Sequence, residues 1–226
     1  MICRTLYLVD DDPTSRRDLI GRLSAVELET WPFAAAVQFS AMLGQLRPAP
    51  ILLSMDLAPA GAAFAVLDEM AASGRHWPVV AFGTDPDMRT AVEAMKRGAI
   101  DFLLQPVATG DLAEALEGAL ALLDDIAGEE AIRADAQARL ACLTPREREV
   151  ATALIGGLGN KSAAHRLGLS VRTVEMHRAR LLRKLGVRSL AEAALLIAHA
   201  ELAAPAAGLR MRRSLAAGGG ILPAPR

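Results

Sequence analysis

Three carboxylates stand at the ends of short apolar runs. Asp10 and Asp11 follow Thr5–Val9, and Asp56 follows Ile51–Met55. If those runs are parallel strands, all three side chains reach the carboxyl edge of one sheet, where open α/β folds gather functional groups. Three clustered carboxylates repel one another and call for a cation. A hard, oxygen-seeking ion such as Mg²⁺ suits them, and it can hold a phosphoryl group against a neighbouring carboxylate. Ser54 can also be drawn into the acceptor register, but the strand pattern favours Asp56. Asp12-Pro13 reads differently, as a turn or helix cap.

A second set has the opposite charge. Arg172, His177, Arg178, Arg180, Arg183 and Lys184 all fall within Val171–Leu185, while Val174, Leu181, Leu182 and Leu185 recur at three- and four-residue spacing. That periodicity predicts a helix with one apolar face for a core. A shorter helix, Lys161–Leu167, precedes it across Gly168, and such a pair reads as a helix-turn-helix whose second helix enters a DNA major groove. Lys161 opens the shorter helix, where its charge and the free N–H groups can meet a phosphate.

The elements that must carry these residues are legible in outline. Candidate strands are Thr5–Val9, Leu28–Phe33, Ile51–Met55, Pro78–Phe82 and Ile100–Leu104. Helical patterns lie between and after them at Thr14–Ser24, Ala34–Leu46, Gly61–Ala72, Asp87–Arg97 and Thr109–Leu123. Regular alternation predicts five βα units around a parallel sheet over residues 1–123. Residues 124–139 are Ala-rich and charged and read as a helical linker. Residues 140–203 form an all-α module of four helices. Its first helix is marked by Thr144-Pro145 with Glu147 as a capping box, its third is capped by Ser170 and stopped by Gly186, and its fourth covers Ser189–Leu202. Residues 204–226 are Ala, Gly, Pro and Arg with little bulky apolar surface, and are expected to be disordered. Arg210, Arg212 and Arg213 there can add non-specific attraction to phosphate.

The chain has 226 residues and a formal net charge of −1. That sum hides a division: residues 1–135 hold 10 basic and 21 acidic side chains, and residues 136–226 hold 15 and 5. An acidic module followed by a basic one points to different partners, with nucleic acid for the second. The 2 cysteines argue against a disulfide scaffold or a cysteine zinc site. No apolar run is long enough to span a bilayer and the N-terminus lacks a signal pattern, so a cytoplasmic protein without membrane contact is expected.

Residues 5–106 resemble a response-regulator receiver domain of the FixJ type. The segments that carry the resemblance are Leu6-Tyr7-Leu8-Val9-Asp10-Asp11-Asp12 and Ala91-Val92-Glu93-Ala94-Met95-Lys96-Arg97-Gly98-Ala99-Ile100-Asp101-Phe102. It implies a flavodoxin-like (βα)5 fold, Asp56 as phosphoacceptor, and Asp10 and Asp11 with Asp56 as Mg²⁺ ligands. It also implies Phe102 as the aromatic residue that reorients on activation. A histidine kinase is the implied phosphodonor. The family's dimer face falls on the fourth helix and fifth strand, including Met88, Val92, Met95 and Phe102. Several positions depart from the pattern. Gln105 stands before Pro106 where receivers carry lysine, so a hydrogen-bond donor replaces a point charge. The hydroxyl residue ending the fourth strand falls on Gly83, with Thr84 one place late. Pro59 comes one residue early, and Ala63 replaces an expected glycine.

The second module resembles the LuxR-type helix-turn-helix. The matching segments are Leu143-Thr144-Pro145-Arg146-Glu147-Arg148-Glu149-Val150, Gly157-Leu158-Gly159-Asn160-Lys161-Ser162-Ala163-Ala164 and Leu169-Ser170-Val171-Arg172-Thr173-Val174-Glu175-Met176-His177-Arg178. By that resemblance Glu147 is a capping residue, Thr173 and Val174 begin the recognition surface, and His177 and Arg178 lie towards DNA. Base contacts are expected from Arg172, Glu175, Met176 and Ala179, and phosphate contacts from Lys161, Arg178 and Lys184. Together the two resemblances imply a non-enzymatic transcriptional regulator that binds double-stranded DNA as a homodimer. Its receiver is expected to work partly or wholly without phosphorylation. Two alternatives stay open: a conventional output switched at Asp56, and a receiver acting mainly as a protein-interaction module.

Overall fold

The computed structural model describes residues 4–24, 28–84 and 88–201. Two compact units divide between Ile126 and Ala127. In the first, the strands are β1 (Arg4–Val9), β2 (Leu28–Phe33), β3 (Ile51–Ser54), β4 (Val79–Gly83) and β5 (Ala99–Leu104). The helices are α1 (Pro13–Leu23), α2 (Ala36–Met42), α3 (Ala62–Ala72), α4 (Met88–Lys96) and the start of α5 (Thr109–Ala141). All pairings are parallel, in the order β2-β1-β3-β4-β5. The order in which successive strands are added reverses between β1 and β3, so the ends of these two strands open onto the crevice where such sheets bind ligands.

The central strands are buried on both faces, which is why β3 and β4 read as unbroken apolar runs. One face packs Tyr7, Val9, Ile51, Leu53, Phe39 and Trp77 with α2 and α3, and the other packs Leu6, Leu8, Leu52, Phe82, Leu112 and Leu116 with α1 and α5. Phe33 and Phe39 meet edge to face at 5.3 Å between ring centroids. Pro32 is accommodated because β2 is an edge strand. Asp12 is the N-cap of α1, accepting from the amides of Thr14 at 2.9 Å and Ser15 at 3.3 Å, as the Asp12-Pro13 pair predicts.

The second unit holds α6 (Pro145–Ile155), α7 (Asn160–Leu167), α8 (Val171–Leu185) and α9 (Leu190–Glu201) around Val150, Leu154, Val174, Leu181, Leu185 and Ala193. The predicted capping box is present: Thr144 Oγ1 accepts from the Glu147 amide, and Glu147 Oε2 from the Thr144 amide. Gly168 sets the turn between α7 and α8 at φ 64°, a left-handed conformation that glycine adopts without a Cβ clash.

The linker is helical, as expected, and continuous with the helix before it. No break falls at residue 123, and α5 runs unbroken over 33 residues from Thr109 to Ala141. The sequence contains no proline between Pro106 and Pro145, its alanines favour helix, and Asp135 pairs with Arg139 one turn on at 2.9 Å. A segment without a strong apolar face thus simply continues the helix before it. The tail expected beyond residue 203, with Arg210, Arg212 and Arg213, lies outside the described residues. Among the described residues no helix is long and apolar enough to cross a membrane.

Candidate functional site

The strand ends place the acidic residues on one rim but treat them differently. Asp10 is 2% exposed. Its Oδ1 accepts from the Asp12 amide at 3.1 Å, while its Oδ2 is buried with no hydrogen-bond partner. Burial pushes this carboxyl above its ordinary value, opposed by the Ser15 hydroxyl and the Asp12 amide. Asp11 Oδ2 accepts from the Ala58 amide at 2.7 Å, which ties β1 to the loop after β3. Asp56 is exposed, and its Oδ2 accepts from the Thr84 amide at 2.8 Å. All three carboxylates thus accept from backbone amides. Among the described residues no three His, Cys, Asp or Glu side chains converge as a ready-made metal cluster, so the expected ligand trio shares a rim without being gathered.

The register at the end of β4 is now visible. Gly83 is the last residue of the strand, and a Cβ built on it would lie 3.5 Å from Met55 Cβ, 3.6 Å from Phe102 Cζ and 3.7 Å from Asp56 Oδ1. Position 83 is therefore the one whose side chain would face Asp56, and it carries none. Thr84 meets Asp56 through its backbone amide. Gln105, next to the cis Gln105–Pro106 peptide, donates from Nε2 to Ser15 Oγ at 2.9 Å. Ser15, Thr84 and Gln105 line a cavity of about 400 Å³. Two residues here escaped sequence reasoning. Arg16 donates to the Asp10 carbonyl oxygen at 2.6 Å, and Ser15 joins Gln105 to the rim. The available signal was their place on the first turn of a helix capped by Asp12.

On α8 the exposed residues Arg172, Glu175, Met176 and Ala179 fall at i, i+3, i+4 and i+7, one continuous face. Arg178 and His177 are half-buried beside it, and His177 Nδ1 has no hydrogen-bond partner. Arg180, Arg183 and Lys161 are exposed. Thr173 is occupied in the cap, its amide donating to Ser170 Oγ and its hydroxyl 2.7 Å from the same atom. One expectation is corrected. Val174 is 0% exposed in the core of this unit, so it cannot begin a recognition surface. Lys184 Nζ donates to Glu147 Oε2 at 2.7 Å and to the Cys142 carbonyl at 3.2 Å. This amine, on an exposed residue, serves a buried carboxylate. Glu147 is 3% exposed, and the Lys184 ammonium, helped by the Thr144 amide, holds its carboxyl down to about 2 against the cost of burial.

The model of the response regulator receiver domain family matches residues 6–117, and that of the bacterial regulatory proteins of the luxR family matches residues 141–197. The transcriptional regulatory protein FixJ of Bradyrhizobium diazoefficiens is 34% identical over 187 residues, covering 83% of this chain and 91% of the relative. The chain belongs to the FixJ-type response regulators. The tetrathionate response regulatory protein TtrR of Salmonella typhimurium is likewise 34% identical, covering 83% of this chain and 89% of the relative. Among solved structures, the response regulator StyR aligns with a TM-score of 0.73 at 31% identity, covering 87% of this chain and 98% of that one. Full-length FixJ from B. japonicum aligns at 0.54 and 33%, covering 87% and 97%. This FixJ-type regulator is therefore a two-component transcription factor with a flavodoxin-like receiver and a LuxR-type DNA-binding domain, in a family that is not enzymatic in general. Receivers typically bind Mg²⁺, and the buried Asp10 oxygen left without a donor fits a hard cation.

Proposed function

We propose that this regulator binds a partly palindromic promoter site as a homodimer, and that its receiver takes phosphate poorly or not at all. The observation that carries the second half is the position of Gly83 beside Asp56 Oδ1. The place for a hydroxyl against the acceptor is empty of side chain, and the place for a lysine holds a glutamine already bonded to Ser15. A lysine about 4 Å from a phosphoryl oxygen would contribute roughly 4 kcal/mol at an effective dielectric near 20. A neutral donor to a charged group contributes about 1.5–3 kcal/mol. The difference, about 1–2.5 kcal/mol, corresponds to about five- to seventyfold in labelling.

Asp10, Asp11 and Asp56 would hold Mg²⁺ together once Asp11 and Asp56 turn from the Ala58 and Thr84 amides; the ion would supply charge neutralisation at the rim. Arg172, Glu175, Met176 and Ala179 would read bases, with Lys161, Arg178 and the flank of His177 at the backbone. Two such helices related by a twofold would enter major grooves about 34–36 Å apart. Val92, 46% exposed on α4, and the half-buried Met95 and Phe102 offer a receiver dimer face; the side chain of Met88 lies outside the described residues. Action on DNA would suit a cytoplasmic protein.

The second reading, switching at Asp56 by a histidine kinase, draws on the exposure of that carboxylate. Incubating the full chain with Mg²⁺ and acetyl phosphate separates the two. We expect labelling of a small fraction of molecules, raised about tenfold by Gly83→Thr with Gln105→Lys. Near-stoichiometric labelling of the natural chain, lost in Asp56→Ala, would establish the second reading instead.

A further inference from the structure

A recognition helix presents one angle to DNA only if both of its ends are held. The two ends of α8 are held by different parts of the chain. At its start, Ser170 Oγ accepts from the Thr173 amide at 3.1 Å, a cap that belongs to the helix-turn-helix itself. At its end, the last four carbonyls have no partner within the helix and must find one outside it. The amides of Gly186 and Val187 serve the carbonyls of Arg183 and Leu182, with Gly186 in the left-handed region at φ 67°. The Leu185 carbonyl takes its donor from another helix: Arg139 of α5 reaches it with Nη1 at 3.3 Å.

Arg139 is prepared for this place. Its Nη2 pairs with Asp135 one turn earlier at 2.9 Å, which leaves Nη1 to reach α8. A Cβ on Gly186 would lie 3.5 Å from that Nη1, so a side chain at 186 would begin in contact with the guanidinium. The positive charge also stands at the negative end of the α8 dipole. Neighbours of Arg139 bind the same unit. Gln137 Nε2 donates to the Ala200 carbonyl on α9 at 3.2 Å, and the Leu140 carbonyl accepts from Arg148 Nη2 on α6 at 3.2 Å. Just past α5, the Cys142 carbonyl accepts from Lys184 Nζ on α8. The end of α5 is thus bonded to α6, α8 and α9, although residues 135–140 precede the stretch that the luxR family model matches.

We propose that residues 135–141 of α5 serve as a fifth helix of the DNA-binding domain, and that Arg139 is a positioning residue of the recognition helix. Arg139 reads no base. It fixes the end of α8 so that the exposed face of Arg172, Glu175, Met176 and Ala179 enters the groove at one angle. Without it, α8 is free to tilt about its capped start, and only part of the population presents that face correctly. Affinity for a preferred site falls by that fraction. Attraction to phosphate rests on charge rather than orientation, so binding without sequence preference is spared. This inference rests on the reading that α8 meets the bases, and not on the state of Asp56.

The test is fluorescence anisotropy of the full chain, well below its melting temperature, on a site enriched from random sequence and on a scrambled duplex. The proteins compared are the natural chain, Arg139→Met, Arg139→Lys and Asp135→Asn. A cation at a helix C-terminus biases an equilibrium by up to about fivefold in ordinary settings, and Arg139→Met should weaken binding to the enriched site by about that factor. Binding to the scrambled duplex and the salt slope on both should stay as they are. Hydrogen exchange should quicken at the amides of the last turn of α8 and not around the Ser170 cap. Arg139→Lys, which keeps the cation, should recover most of the affinity. Asp135→Asn leaves Arg139 in place but untethered and should show a smaller loss of the same kind, which decides the matter if Arg139→Met does not fold. Natural affinity for the enriched site in the folded variants would overturn the proposal, as would a loss that Arg139→Lys does not recover. A fall on both duplexes with the salt slope lowered by about 1 would make Arg139 a phosphate contact and overturn it too. A natural chain that does not distinguish the two duplexes would overturn it together with the reading of α8.

Discussion

Glu147 keeps a negative charge where burial would ordinarily suppress it, and Lys184 is the reason. Removing one partner of a buried ion pair leaves the other uncompensated. Lys184→Met should therefore destabilise the C-terminal unit by about 2 kcal/mol, a moderate value because the Thr144 amide still serves Glu147. If Lys184 is structural, the same variant leaves the salt dependence of DNA binding unchanged, whereas Arg178→Ala lowers the log–log slope by about 1. A slope lowered by Lys184→Met would return that residue to the phosphate contacts. The pair also sets a pH dependence. The Glu147 carboxyl lies at about 2 in the folded state against an ordinary 4.5, so the unfolded chain binds its proton more readily. The stabilisation is complete above about pH 4.5 and fades as pH falls towards 2. Hydrogen exchange of α6 and α8 amides should show that loss, and Glu147→Gln should flatten it. Val174 was misplaced in the sequence because central positions on a recognition helix look alike until its depth in the core is known. Gly83 was legible as an absence, but only strand register turned that absence into a neighbour of Asp56.

Elements were easier to read than single side chains. All five strands and the helices α6 to α8 follow from apolar periodicity, caps and glycine stops. These signals are local and agree with the tertiary burial that enforces them. The linker was the exception. Its composition correctly said helix, but nothing in a solvated Ala-rich stretch marks whether a helix begins there or merely continues, and α5 continues. On α8, two substitutions divide packing from reading. Val174→Ala should cost about 2 kcal/mol of domain stability through the lost methyl groups and the cavity they leave, with base preference unchanged. Arg172→Ala should leave stability within about 0.5 kcal/mol and relax selectivity at one base position by about 1–3 kcal/mol. Melting curves and competition binding against single-base variants of a site check both. Equal loss of selectivity in the two variants would mean that helix placement, not the Arg172 side chain, sets the preference.

At the scale of the whole molecule, near-zero net charge is the sum of an acidic receiver and a basic DNA-binding domain, and each excess has a local use. The acidic excess includes a rim whose buried oxygen suits a divalent cation, and the basic excess includes the exposed face of α8. In this account, DNA binding by the full chain does not wait on phosphate at Asp56. The direct test is fluorescence anisotropy with a DNA site enriched from random sequence by the full-length protein, at fixed salt and Mg²⁺, with and without acetyl phosphate. The account predicts sequence-preferring binding whose affinity changes less than about twofold with the phosphodonor and equally little in Asp56→Ala, well under the 1.4 kcal/mol that marks a tenfold change. A tenfold or greater gain on adding acetyl phosphate, abolished by Asp56→Ala, would contradict it.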